Sequence, residues 1–229
     1  MPEKRLVWDL PTRLFHWILV LVILGLYLTA NAGYEWMEWH FRLGYTALGL
    51  VVFRILWGFV GPRHARFTTF LVGPGKVLAY VRGFFRRDSV PATGHNPMGA
   101  LMVIVLLLMV GIQAVSGLFA TDDIAFAGPY NPAVSSELAS KLTSLHHLNF
   151  SILQWAILLH VGTVFFYLFY KRQNLIGAMF TGRKPASLVP PAEAITGSQV
   201  LKAVIIAAIV AAGVWWLIST APPPPEVYY

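Results

Sequence analysis

The chain has 229 residues, 57% of them hydrophobic and 12% charged, with a mean hydropathy of +0.63. Soluble domains carry about 25% charged residues, so half the usual means of staying in water is missing. Seventeen Lys and Arg against ten Asp and Glu leave +7 and a pI near 9.8, a balance that points to nucleic acid only in a soluble chain. The apolar content argues against that partner. The absence of cysteine excludes disulfides, thiolate metal sites, iron–sulfur clusters and covalent c-type haem attachment. A cofactor must be held by His, carboxylate, Met or backbone.

About 20 mostly apolar residues cross roughly 30 Å of hydrocarbon. In chain order, five stretches meet that length: about 14–30, 41–60, 98–118, 148–170 and 200–219. The predicted fold class is all-α and integral to the membrane. With the N-terminus inside, the tail before the first span, the loop 61–97 and the segment after Tyr170 hold 14 of the 17 Lys and Arg. The opposite side holds Arg42 and Lys141, and Glu35, Glu38, Asp122, Asp123, Glu137 and Glu226. By the positive-inside rule the N-terminus is cytoplasmic and the C-terminus lies across the membrane. Lys4-Arg5, the apolar run and Ala30-Asn31-Ala32 also resemble a secretory leader with its cleavage site. Asp9, Arg13 and the length of the run favour a retained helix.

Within 61–97, Gly73-Pro74-Gly75 precedes a segment, 76–87, that sets Val77, Val81, Phe84 and Phe85 against Arg82, Arg86 and Arg87. This predicts a short interfacial helix on a lipid surface. The stretch 119–144, with Gly128-Pro129 and Asn131-Pro132, reads as a mildly acidic loop. Pro190-Pro191 marks a linker to the fifth span, and the proline-rich tail after it is too short for a domain.

Ionisable groups inside a membrane are functional candidates by default. His146 and His160 are 14 residues apart, about 40° short of four helical turns and about 21 Å along the axis. They share one face near opposite membrane surfaces, and His147 points elsewhere. His16 opens the first span and His40 the second, so depth pairs His40 with His146 and His16 with His160. Two bis-histidine sites in one bundle suit two b-type haems. Zinc wants three or four ligands at one depth, and only two meet at each level. Arg54, 14 residues after His40, sits one level deeper on nearly the same face. It either meets a haem propionate or snorkels to the cytoplasmic surface, and Arg13 and Arg42 are further candidate partners for haem propionates. The third span offers no ligand, and its Gly99, Gly111, Ser116 and Gly117 read as close-packing positions. His147, His64 and His95 fall at membrane edges or in the loop 61–97, where a structural role is the simpler reading.

These residues resemble the bacterial cytochrome b561 family, which includes the b-type cytochrome subunits of nickel–iron hydrogenases. The resemblance rests on Trp8-Asp9, Arg13 and His16-Trp17, then His40, Gly44, Arg54 and Trp57. Gly94-His95-Asn96-Pro97 and His146-His147-Leu148 followed by His160 complete it, over about residues 6–185. It implies a four-helix transmembrane bundle binding two haems b, with His16, His40, His146 and His160 as ligands, the four that geometry also selects. It implies electron passage between quinone and a periplasmic redox partner, a c-type cytochrome or metalloenzyme, at the bacterial inner membrane. Quinone chemistry needs a proton-exchanging group, for which His64, His95 and Asn96 are the candidates. The expected organisation is a dihaem domain over 1–185 and, over 186–229, a linker, a fifth transmembrane helix and a periplasmic tail. Competing expectations are a stand-alone quinone-linked oxidoreductase acting on superoxide, an anchor subunit without substrate of its own, and a non-redox transporter. The inverted repeats of many transporters are not evident.

Overall fold

A computed structural model describes residues 3–87 and 91–223. Its helices are α1 (Leu10–Asn31), α2 (Met37–Val60), α3 (Phe67–Phe70), α4 (Pro74–Arg82), α5 (Pro97–Gly117), α6 (Ser136–Phe169), α7 (Leu175–Thr181) and α8 (Val200–Ser219). Two three-residue strands, β1 (Lys4–Leu6) and β2 (Arg183–Pro185), pair antiparallel with Arg5 opposite Lys184. Five helices, α1, α2, α5, α6 and α8, are long and apolar enough to cross a membrane. The protein is a multi-pass, all-α membrane protein. Leu21, Leu108, Leu159, Ile209 and Trp215 on these helices are exposed, as side chains facing lipid must be.

Element ends differ from the hydropathy runs for local reasons. α1 starts four residues early because Asp9 caps it: its Oδ1 accepts from Thr12 N at 2.9 Å and its Oδ2 from Thr12 Oγ1 at 2.8 Å. α6 starts at Ser136, inside the stretch read as a loop, because three polar turns precede its apolar part. Where 76–87 is expected to be helical, the structure has α4, which begins at Pro74 and ends at Arg82. Leu78 and Val81 on it are exposed beside Lys76 and Arg82.

The chain forms two compact units. The first comprises residues 1–17, 54–106 and 156–206, and the second residues 18–53, 107–155 and 207–229. The first holds fifteen of the seventeen Lys and Arg and four of the ten acids; the second holds two and six.

Val7, Trp8, Ala178 and Val189 form a core cluster in the first unit, joined by Met179 and Ala194. Burying Val7 and Val189 completely contributes roughly 1.5–3 kcal/mol each. Gly182 makes this join possible. It ends α7 in the left-handed region at φ 76, its carbonyl accepts from Val7 N and Trp8 N, and a Cβ there would stand 2.6 Å from Trp8 O. The segment after β2 continues the same fastening. Arg5 Nη1 donates to Val189 O at 2.6 Å, Ile195 N to Leu6 O, and Leu10 N to Ser198 Oγ at 3.0 Å.

In the second unit α8 packs on α2, where a Cβ on Gly49 would touch Val214 at 3.7 Å. Tyr130 OH donates to Leu217 O at 2.7 Å, tying the α5–α6 connection to the end of α8. That connection is ordered by its own bonds. Asp122 Oδ1 accepts from the amides of Ile124, Ala125 and Phe126, and Asn131 Nδ2 donates to Phe119 O.

Candidate functional site

Two histidine pairs stand out, one in each unit. In the second unit His40, on the first turn of α2, directs Nδ1 at Leu26 O (3.1 Å) with Thr29 Oγ1 at 3.4 Å. His146, on α6, directs Nδ1 at Gln113 O (3.0 Å) with Ser116 Oγ at 3.2 Å. A carbonyl only accepts, so in each ring Nδ1 carries the proton and Nε2 keeps its lone pair. Such an outer bond fixes the tautomer and orientation of a ligating histidine. The two rings lie within electrostatic reach of one another. Gly117 leaves room for His146, since a Cβ there would stand 3.0 Å from its Cε1. Gly44, one turn beyond His40, has nothing within 4 Å of where its Cβ would lie. That open face beside a histidine suits a flat macrocycle. Asn149, nearly buried on α6, donates to Met109 O and Gln113 Oε1 and locks α6 to α5.

His16 and His160 face each other in the first unit, ring centroids 6.5 Å apart and planes at 58°. A metal about 2.0–2.1 Å from each of two imidazole nitrogens separates the ring centres by about 6–7 Å. The observed spacing would let both rings reach one metal ion between them. His16 Nδ1 is shielded and has no partner among the described residues; the same holds for Arg13 Nε and Trp17 Nε1. Trp17 stacks on Phe180 at 4.3 Å, and Arg13 Nη1 donates to Phe180 O. Each unit thus offers one pair of imidazoles as possible donors. Among the described residues no three His, Cys, Asp or Glu converge as a metal cluster, which suits a macrocycle supplying the other four ligands.

The other expected residues divide. Arg54 is 2% exposed, and its Nη1 has no partner among the described residues. Arg42 is exposed and pairs with Glu38 at 2.9 Å while lying over Trp39. His147 is exposed. His64 is buried with Nε2 2.8 Å from Glu193 O, and burial holds its pKa below the ordinary value. His95 sits between Trp8 (4.7 Å) and Phe70 (4.6 Å). Loss of hydration first, then Arg54, His64 and Lys184, lower its pKa to about 3, so it is neutral at pH 7. Asn96 caps α5 through Gly99 N and donates to Tyr167 OH at 3.1 Å, and Tyr167 OH in turn bonds Tyr80 OH.

Sequence spacing alone misses several residues. Asp9 is completely buried and accepts from Trp57 Nε1 at 3.0 Å, tying α1 to α2. Lys184 is 8% exposed and donates to Ala92 O and Thr93 O. Gln113 and Ser116 serve His146 from α5, the span that offers no ligand itself. A buried carboxylate beside Trp8, and Ser116 within an apolar run, were the signals available.

A family model described as prokaryotic cytochrome b561 matches residues 7–182. No match was found among curated proteins or solved structures. The chain belongs to the prokaryotic cytochrome b561 family, membrane b-type cytochromes of electron transfer, and haem b is the cofactor that membership implies.

Proposed function

We propose that the protein is a dihaem cytochrome b, passing electrons between the quinone pool and a periplasmic redox partner, a c-type cytochrome or metalloenzyme. His40 and His146 would hold one haem, His16 and His160 the other. The observation that carries this is the pairing: four histidines in two pairs, each pair in its own unit, with the rings of one pair 6.5 Å apart, close enough to share one metal ion. Residues 1–185 form the cytochrome domain in this account, in keeping with the family match over 7–182. Residues 186–229 add the linker, fifth helix and tail.

Haem b supplies reversible one-electron chemistry at its iron. The chain's own residues do the rest. The Nδ1 bonds to Leu26 O and Gln113 O hold His40 and His146 as neutral ligands and raise their basicity. Apolar helix faces exclude water. Arg13 Nε and Arg54 Nη1, buried and without a partner among the described residues, would offer propionates their donors, and Arg42 would have to leave Glu38 to do so. The distribution of fifteen cations in the first unit supports placing that unit at the cytoplasmic face of the inner membrane, N-terminus inside and C-terminus periplasmic. Quinone exchange then belongs near His64, His95 and Asn96. The periplasmic partner would meet the acidic second unit, where a basic surface fits best.

The test uses the full chain in liposomes, with quinol in the membrane and a basic c-type cytochrome outside. Quinol-dependent reduction of a b-type band, followed by reduction of the cytochrome, is expected. A b-type band that quinol never reduces would overturn the proposal. Reduction of the band by superoxide in place of any partner protein would favour the stand-alone oxidoreductase.

A further inference from the structure

Arg54 and His95 meet on one phenyl ring of the first unit. The Arg54 guanidinium carbon lies 5.0 Å from the Phe67 centroid and 6.0 Å from that of Phe70, and the His95 ring lies 4.6 Å from the same Phe70. Arg54 Nη1 and His95 Nδ1 are both shielded from solvent, and neither has a partner among the described residues. A charged guanidinium that is 2% exposed in a membrane helix is costly unless an anion meets it. Asp9 carries the nearby opposite charge, but its oxygens already serve Thr12 N, Thr12 Oγ1 and Trp57 Nε1. Arg54 Nη1 is left to meet a further acceptor.

We propose that Arg54 and His95 form a two-point seat for a single carboxylate, and that a haem propionate supplies it. Arg54 Nη1 donates to one carboxylate oxygen, and the neutral imidazole donates Nδ1–H to the group. The charged and titratable groups facing His95 are Arg54 on α2, His64 after α2 and Lys184 on β2. Each is cationic or neutral, so the surroundings prefer an anion at this point. The carboxylate selects which nitrogen of His95 carries its proton. This gives His95 a role inside the protein rather than as a solvent-facing acid for quinone. It rests on the dihaem reading above.

A redox titration of the b-type bands of the purified full chain tests it. R54Q is expected to lower the reduced-to-oxidised ratio of one component about tenfold at fixed potential, a shift of about 59 mV. R54K is expected to retain most of the wild-type value. With H95F that component's potential falls as pH rises between about pH 6 and 8, because the propionate, without its Nδ1–H donor, now titrates there. Wild type and H95Q, which keeps an N–H donor, stay flat. If R54Q holds no haem, the H95F slope still decides.

Reconstitution with haem dimethyl ester, which has no free carboxylate, separates the sources. Under the proposal the pH slope of H95F then disappears, while R54Q keeps the part of its shift that the lost charge itself exerts. A slope that persists in H95F with the ester would assign the seat to a carboxylate or quinol oxyanion from elsewhere and overturn the propionate. No response in R54Q and H95F with ordinary haem overturns the seat itself. Absence of any b-type band in the wild type overturns the dihaem reading instead.

Discussion

Asp9 gives the most quantitative test of how α1, and with it His16, is positioned. Its carboxylate is completely buried and accepts three hydrogen bonds: Thr12 N at 2.9 Å, Thr12 Oγ1 at 2.8 Å and Trp57 Nε1 at 3.0 Å. D9A removes the N-cap, which costs about 1 kcal/mol. It also takes a buried acceptor from Trp57, which costs roughly 1–3 kcal/mol. The sum is about 2–4 kcal/mol. At roughly 2–4 °C per kcal/mol for a chain of this size, the midpoint should fall by about 5–15 °C. The assay is a thermal melt of the full chain in detergent followed at 222 nm, with haem content measured in parallel. D9N keeps one acceptor oxygen and should lose about half as much. W57F in the D9A background should cost less than in the wild type, because the shared bond is already gone. A midpoint for D9A within 1 °C of the wild type, or strict additivity of D9A and W57F, refutes the tie between α1 and α2.

Three further outcomes are expected. G182A forces a Cβ into a residue at φ 76 and within 2.6 Å of Trp8 O. It should cost at least about 1–2 kcal/mol in the same melt, while G197A, where a Cβ meets nothing within 4 Å, should be neutral; equal midpoints would refute the role of Gly182. G117V crowds His146 Cε1, already 3.0 Å from a Cβ at that position, and should remove one of two b-type components and leave the other. Loss of both or neither contradicts a local effect. Backbone amides of Ile124, Ala125 and Phe126 hold the Asp122 carboxyl below its ordinary 3.8. Because the folded value is the lower one, the bonds stabilise the loop above the ordinary carboxylate range and are lost as pH falls through that lowered value. Hydrogen-exchange protection of those three amides should drop over that interval in wild type and be absent in D122A at every pH; identical profiles would refute it.

The spans and the histidine pairing were legible because both depend on regularities along one helix. A run of apolar residues reports membrane crossing, and a 14-residue interval reports a shared face. Helix starts were less legible. Hydropathy reports lipid contact and not hydrogen bonding, so the polar first turns of α6 and the Asp9 cap of α1 escaped it. Contacts between distant segments escaped for a different reason. Asp9 and Trp57 are 48 residues apart, and no periodic pattern links them. Arg5 Nη1 reaches the carbonyls of Ala186 and Val189, and Ile195 N donates to Leu6 O; each bond ends on a backbone oxygen, which leaves no trace in residue identity. The placing of His16 beside His160 could be read from spacing, but the carbonyls of Leu26 and Gln113 that orient His40 and His146 could not, since every residue carries one. Arg54 was rightly singled out as buried, and its neighbours on Phe67 and Phe70 appear only in three dimensions. The tail beyond Pro223, with Glu226, lies outside the described residues.

The central claim is that four histidines make two separate haem sites. Its most direct measurement is the reduced-minus-oxidised spectrum and haem-to-protein ratio of the purified chain beside the single variants H16A, H160A, H40A and H146A. Two haems b per chain are expected in the wild type. H16A and H160A should abolish the same spectral component, and H40A and H146A the other. One haem per chain, or a component lost in both H16A and H40A but kept in H160A, would contradict the assignment.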